Sequence, residues 1–229
     1  VAGFSFSGGK LQAKKRVYAF FDGQNLFHSA KECFGYTKPN YDPIKLAIAL
    51  TELEKDRMLI GLNFYTGVHS SKVRLDLNQF WHKRLEALKH RGKKFGIQLK
   101  IISRPLKYTM IDDIKNPGQK YPLPREKGID VRMALDLVRL ARYRQFDVAI
   151  IFSQDTDLIE AVHEVFALGR ELGVKFFIEC AFPGNPDSEK QPIGIRDTRW
   201  RIIDKALYDS CLDPDTDLYF PKPPMFKNP

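Results

Sequence analysis

Five consecutive apolar residues, Val148 to Phe152, run straight into the polar turn Ser153-Gln154-Asp155-Thr156-Asp157. A run so short and so uniformly apolar fits a central strand covered on both faces, because a half-exposed strand would alternate apolar and polar positions. A helical apolar pattern resumes at Leu158, so the two acids stand between the carboxyl end of a strand and the start of a helix. In an open α/β sheet that is where ligands bind, since adjacent loops leave a crevice there. A lone aspartate at such a point is most often a helix N-cap. One cap does not need two acids.

The same arrangement occurs near the start of the chain. Val17 to Phe21 (VYAFF) is a second buried-strand pattern, followed by Asp22, Gly23, Gln24 and Asn25 before a helix-like segment. Gly23 suits a tight turn, and Asp22 and Asn25 offer oxygens at the mouth of that helix. Two buried strands thus deliver acids to one edge.

Charge sharpens the contrast. The chain of 229 residues is 43% hydrophobic and 28% charged, enough for one large domain with a proper core. Its formal net charge is +9 and its pI about 9.4, which favours a polyanionic partner. The acidic edge is then a local hole in a basic protein. That combination suits a nuclease that attracts phosphates and faces them with a metal. Cys33, Cys180 and Cys211 are an odd number without a CxxC pair, so neither a disulfide framework nor a zinc site is indicated, and a reducing cytoplasm fits best. No apolar run reaches membrane-spanning length, and the N-terminus lacks the apolar segment of a signal peptide.

The rest of the chain alternates strand and helix. Residues 1–16 read as a flexible basic lead-in. Helices are expected after Asn25 as far as Gly35, from Asp42 to Leu53 with Asp42 as cap and Pro43 in the first turn, and over 75–90. The last of these places Leu77, Phe80, Trp81, Leu85 and Leu88 inward. Its other side carries His82, Lys83, Arg84, Lys89, His90 and Arg91, either a solvated face or a ridge for phosphates. Strands are expected over 58–68, 97–103 and 174–181. His28 and His69 read as ordinary polar residues. Residues 104–128 form the least regular stretch, where basic and aromatic residues interleave among four prolines. It reads either as a surface for single-stranded nucleic acid or as a plain hairpin insertion, with Asp112 and Asp113 occupying a turn or joining a metal site. A helix opens near Asp130, an acid favoured there by the helix dipole. Asp136 lies about 240° further round it and is read as supporting the site or as exposed. Another helix follows Asp157 and ends at Gly173. The last helix is expected around 198–211, before a Pro-rich tail from Pro214 that looks extended. The whole is an α/β fold with a mainly parallel sheet flanked by helices.

Three short segments in order, FDGQN after the first strand, EKGID opening a helix and SQDTD after the fourth, resemble an NYN domain of the LabA-like branch, within the PIN-like (Rossmannoid) nuclease superfamily. The closing IRDTRWRIIDKALYDSCLD segment is similar to bacterial members. The resemblance implies a sheet ordered 3-2-1-4-5, a nuclease domain over 17–182, and a C-terminal helix and tail over 183–229 packed on it. It implies a cytoplasmic Mg²⁺- or Mn²⁺-dependent endoribonuclease acting on RNA, single-stranded by expectation, without a membrane and with a homodimer left open. Carried over, Asp22, Asp130, Asp155 and Asp157 are the metal-binding and catalytic acids, with Asn25 and Ser153 orienting ligands or substrate. Lys127 and Arg125, close to Asp130, are candidates for the phosphate. Where the family often has S-G-D-S-D-F, this chain has Gln154, Thr156 and Leu158 in place of the glycine, second serine and phenylalanine. Two other readings compete. One is a non-catalytic RNA-binding or assembly module that keeps the pocket. The other is a haloacid-dehalogenase-like phosphatase, which wants an acid two residues after its nucleophile where Asp22 is followed by Gln24.

Overall fold

Val148–Phe152 is a strand at the centre of a six-stranded sheet in the computed structural model, which describes residues 13–112, 118–185 and 192–221. In chain order the strands are β1 (Lys15–Asp22), β2 (Arg57–Val68), β3 (Gln98–Pro105), β4 (Lys107–Asp112), β5 (Lys120–Arg125), β6 (Val148–Phe152), β7 (Phe177–Pro183) and β8 (Arg199–Ile203). The helices are α1 (Gly23–Phe34), α2 (Pro43–Glu52), α3 (Leu75–Lys94), α4 (Ile129–Arg142), α5 (Ile159–Leu172), α6 (Lys205–Ser210) and α7 (Thr216–Tyr219), with a 3₁₀ turn at Thr156–Leu158 ahead of α5. The main sheet runs β3-β2-β1-β6-β7-β8, every neighbouring pair parallel. The five expected strands stand in the expected order, and β8 adds a sixth at the β7 edge.

Burial on both faces accounts for the unbroken apolar runs. Val17, Ala19 and Phe21 of β1, with Val148, Ile150 and Phe152 of β6, pack toward α1, α2 and α3. Tyr18, Phe20, Ala149 and Ile151 point the other way, against α4 and α5. Helix ends follow local chemistry: Asp42 accepts the Ile44 N–H at 2.9 Å, and Gly35 and Gly173 close α1 and α5 in the left-handed region. Among the described residues no helix is long and apolar enough to cross a membrane.

Four expectations need correction. Residues 199–203 are strand, not helix. Arg201 alternates toward β7, where its guanidinium meets buried Glu179 at 2.8 Å, and the helix waits until Asp204 caps Leu207 N–H at 2.8 Å. On α3, Arg84 is buried, not basic surface. Its Nη2 donates to the Tyr41 carbonyl at 2.7 Å, and its guanidinium lies 5.1 Å from the Tyr41 ring centre. Arg91 likewise turns inward, to Asp42 at 3.1 Å and Asp213 at 2.8 Å. The lead-in is shorter than expected, since Lys15 and Arg16 already belong to β1 and Arg16 pairs with Asp147 at 2.9 Å; residues 1–12 lie outside the described residues. The tail is not wholly extended: α7 forms one turn, and Phe220 meets Phe80 of α3 edge-on at 5.0 Å between ring centres.

Most of the irregular stretch is a hairpin. β4 and β5 form a separate antiparallel pair, anchored where Leu106 N–H donates to the Val68 carbonyl at 2.9 Å. Pro122 and Pro124 are tolerated in β5 because a two-stranded ribbon leaves each strand an unpaired edge.

Candidate active site at the carboxyl edge

Parallel pairing brings the carboxyl ends of β1, β2, β3 and β6 to one edge, and the acids gather there. Asp22, the last residue of β1, accepts the N–H groups of Gln24 at 3.2 Å and Asn25 at 2.9 Å, capping α1 while itself buried. Gly23 is needed for close approach: a Cβ there would fall 2.9 Å from both the Phe64 ring and the Tyr65 carbonyl oxygen. Asp155 caps the 3₁₀ turn by accepting the Asp157 N–H at 3.0 Å, and Ser153 Oγ accepts the Asp155 N–H at 3.1 Å. The loop after β6 is then tied to α1. Asn25 Oδ1 accepts the Gln154 N–H at 2.9 Å, and Ser29 Oγ donates to Gln154 Oε1 at 2.6 Å. The Gln154 side chain supplies the second tie.

Asp22, Asp130 and Asp155 line one cavity of about 450 Å³, together with Lys127 and Glu126. Asp130 enters from the first turn of α4, whose N-cap is Gly128 at φ 71° and which has no side-chain cap, so Asp130 is not consumed by capping. Asp157 is exposed and does not line this cavity. Arg125 ends β5 opposite Lys107, also exposed and off the lining. His28 is exposed, His69 sits beside Tyr108, and Asp112 faces Lys120 across the hairpin at 3.7 Å, while Asp113 lies outside the described residues. Asp136 is buried in a network away from the cavity, taking Tyr65 Oη–H at 3.1 Å and Arg132 Nε–H at 2.9 Å.

Glu126 is the site residue that sequence reasoning passes over. Flanked by Arg125 and Lys127, it reads as one charge in a mixed loop, yet its carboxyl turns back over the end of β2. Glycine at 67 makes the room, since a Cβ there would lie 2.7 Å from Glu126 Oε2. That oxygen is buried without a hydrogen-bond partner.

The cluster is electrostatically loaded. Burial raises the Asp22 pKa to about 6, with the charges of Asp155 and Asp130 pushing the same way against the two amide hydrogen bonds. Burial also raises Glu126 to about 7, helped by the charges of Asp22 and Asp130. Among the described residues no three His, Cys, Asp or Glu side chains converge as a ready-made metal cage. The donor chemistry nonetheless fits a hard cation. The cavity's ionisable acceptors are all carboxylates, mutually repelling, and one buried oxygen lacks a partner. The residues available to such an ion are Asp22, Glu126, Asp130 and Asp155.

No curated protein and no solved structure matches the chain. A family model described as NYN domain matches residues 16–188, a span that begins with β1 and takes in all four carboxylates of the cavity. The chain therefore belongs to the NYN domain family, within the PIN-like nuclease superfamily.

Proposed function

We propose that this protein is a Mg²⁺- or Mn²⁺-dependent endoribonuclease of the LabA-like branch, hydrolysing phosphodiester bonds of single-stranded RNA at the carboxyl edge of the sheet. The observation that carries the reading is the meeting of Asp22, Glu126, Asp130 and Asp155, from three separate parts of the chain, around one open cavity. A divalent cation bound there would neutralise the acids and the approaching phosphate, and would supply an activated water for in-line attack on phosphorus.

The chain's own residues divide the remaining work. Asp22, held by two amide donors, is fixed in place, as is Asp155 through its cap to Asp157. Asp130 lines the cavity from the first turn of α4. Glu126, its pKa raised to about 7 with no ion bound, is partly protonated at neutral pH and would give that proton to the leaving oxygen or lose it on joining the cation. Lys127 contributes the positive charge on the rim toward a phosphate. Asn25 and Ser153 orient the loop that carries Asp155.

The test is incubation of the purified chain with end-labelled single-stranded RNA and DNA of mixed sequence, in EDTA, Mg²⁺ or Mn²⁺. The expected result is internal RNA cleavage with metal only. A specific observation supports a second reading, a non-catalytic RNA-binding module: Asp22 and Asp155 both act as caps, a role that needs no turnover. RNA binding without cleavage in any metal would select it.

A further inference from the structure

A second cavity of about 540 Å³ opens on the same edge of the sheet, at the carboxyl ends of β2 and β3. One wall is a single face of α3, where Asn78, His82, Glu86 and Lys89 follow at helical spacing; the other includes His69 and Arg104. Its volume is that of a small-ligand site. Its floor is built rather than incidental. Asn78 Nδ2 donates to the His69 carbonyl at 2.7 Å, the Tyr108 hydroxyl lies 3.0 Å from His69 Nδ1, and Ser70 N–H donates to that hydroxyl at 3.2 Å.

Arg104 joins this cavity to the acidic one. It lines the second cavity, and its Nη1 donates to the Lys127 carbonyl at 3.3 Å, on the loop that lines the first. Glycine at 128 leaves the space it occupies, for a Cβ there would stand 2.5 Å from Arg104 Nη1. The two cavities differ in charge. Among the described residues the first sets four carboxylates against Lys127, whereas the second sets Arg104 and Lys89 against Glu86, with two imidazoles beside them. Lys89 already leans on Glu86 at 2.5 Å, and both are exposed, so an incoming phosphate can take over that lysine at little cost. Burial and the charge of Arg74 lower the His69 pKa in the free chain.

We infer that the cavity between α3 and β3 binds a nucleotide flanking the scissile phosphate, with Arg104 and Lys89 holding its phosphate and the His82 and His69 rings facing its base. This rests on the nucleic-acid reading above and extends it by giving the strand a direction, from the acids past Arg104 toward α3. Arginine and lysine hold backbone while planar rings accept any base, which is the chemistry of sequence-tolerant single-strand binding.

The test is fluorescence anisotropy of a labelled mixed-sequence RNA of about ten nucleotides, a length within the range of single-strand sites, titrated with the full chain in EDTA at several salt concentrations. Wild type is compared with Lys89→Ser, Arg104→Ser and Lys55→Ser, the last on the opposite edge of the sheet, with melting temperatures as a check on folding. Lys89→Ser and Arg104→Ser should each weaken binding about tenfold and flatten the salt slope by about one, and Lys55→Ser should change neither. Lys89 is exposed and its ammonium bonds the exposed Glu86, so Lys89→Ser stands even where Arg104→Ser fails to fold. Wild-type affinity in Lys89→Ser, or no RNA binding by wild type, overturns the inference. Because no metal is present, the outcome is independent of catalysis. Weakened variants of a chain that cleaves nothing would keep this site and reject the nuclease reading, and cleavage with unweakened variants would do the reverse.

Discussion

Asn25 Oδ1 accepts the backbone N–H of Gln154 at 2.9 Å, joining the first turn of α1 to the loop after β6 across 129 positions of sequence. This bond sets Asp22, which caps α1, against Asp155, which lies next to Gln154. Asn25→Ala should cost about 1–2 kcal/mol in urea unfolding, the range for removing one partner of a part-buried hydrogen bond. It should lower the RNA cleavage rate more than RNA affinity, because the phosphate-holding cations are untouched. Equal losses in both would mean that the clamp does not position the acids.

Acid titration gives a second prediction. The Asp22 carboxyl ionises near 6 in the folded chain, above the ordinary carboxylate value of about 4 that it regains on unfolding. Between those values the folded state holds more protons, so its stabilising contribution is complete at low pH and lost as pH rises through 6. Glu126 behaves alike, its contribution being lost as pH rises from the ordinary carboxylate range to about 7. Asp147 and Glu179, held below their ordinary values by Arg16, Arg57 and Arg201, act in the opposite sense at lower pH and are common to all variants. Asp22→Asn and Glu126→Gln should therefore melt near wild type at pH 4 and above it at pH 8 in EDTA. A difference that does not grow with pH would show that neither burial nor the neighbouring charges raise these carboxyls.

Gly128 tests the hinge between the hairpin and α4. At φ 71° and with Arg104 Nη1 in the space of a Cβ, Gly128→Ala should destabilise by about 1–3 kcal/mol. It should also shift Lys127 and Asp130 and reduce cleavage. Unchanged unfolding would show that the loop relaxes freely.

Among the described residues Lys127 is the one cation on the lining of the acidic cavity. Lys127→Ala should weaken RNA binding similarly across sequences and flatten the salt dependence by about one, as loss of one phosphate contact does. An unchanged slope would remove Lys127 from the path of the backbone.

The buried strands were legible because both faces of β1 and β6 are covered, which writes an apolar run into the sequence, and Asp22 and Asp155 were legible as the residues that end those runs. Gly35, Asp42 and Gly173 announced helix ends through local rules alone. What escaped notice depends on distant partners. β8 is strand because Glu179 on β7 receives Arg201, and Arg84 is core because Tyr41, outside α3, accepts its guanidinium, which α3's own periodicity does not show. Glu126 escaped for the same reason: only Gly67, on another strand, gives its carboxyl a place to go.

The most direct test of the account is Asp155→Asn, which keeps the cap acceptor and the size of the side chain while removing one charge from the cavity. Its melting temperature should be read in EDTA and in saturating Mg²⁺ or Mn²⁺, alongside cleavage of single-stranded RNA. Wild type should rise with metal by mass action, and the variant should melt no lower than wild type in EDTA, show little rise, and cleave no RNA. A variant that unfolds markedly earlier in EDTA, or that keeps both the metal-induced rise and the cleavage, would show that Asp155 is a structural cap and not part of a hydrolytic metal site.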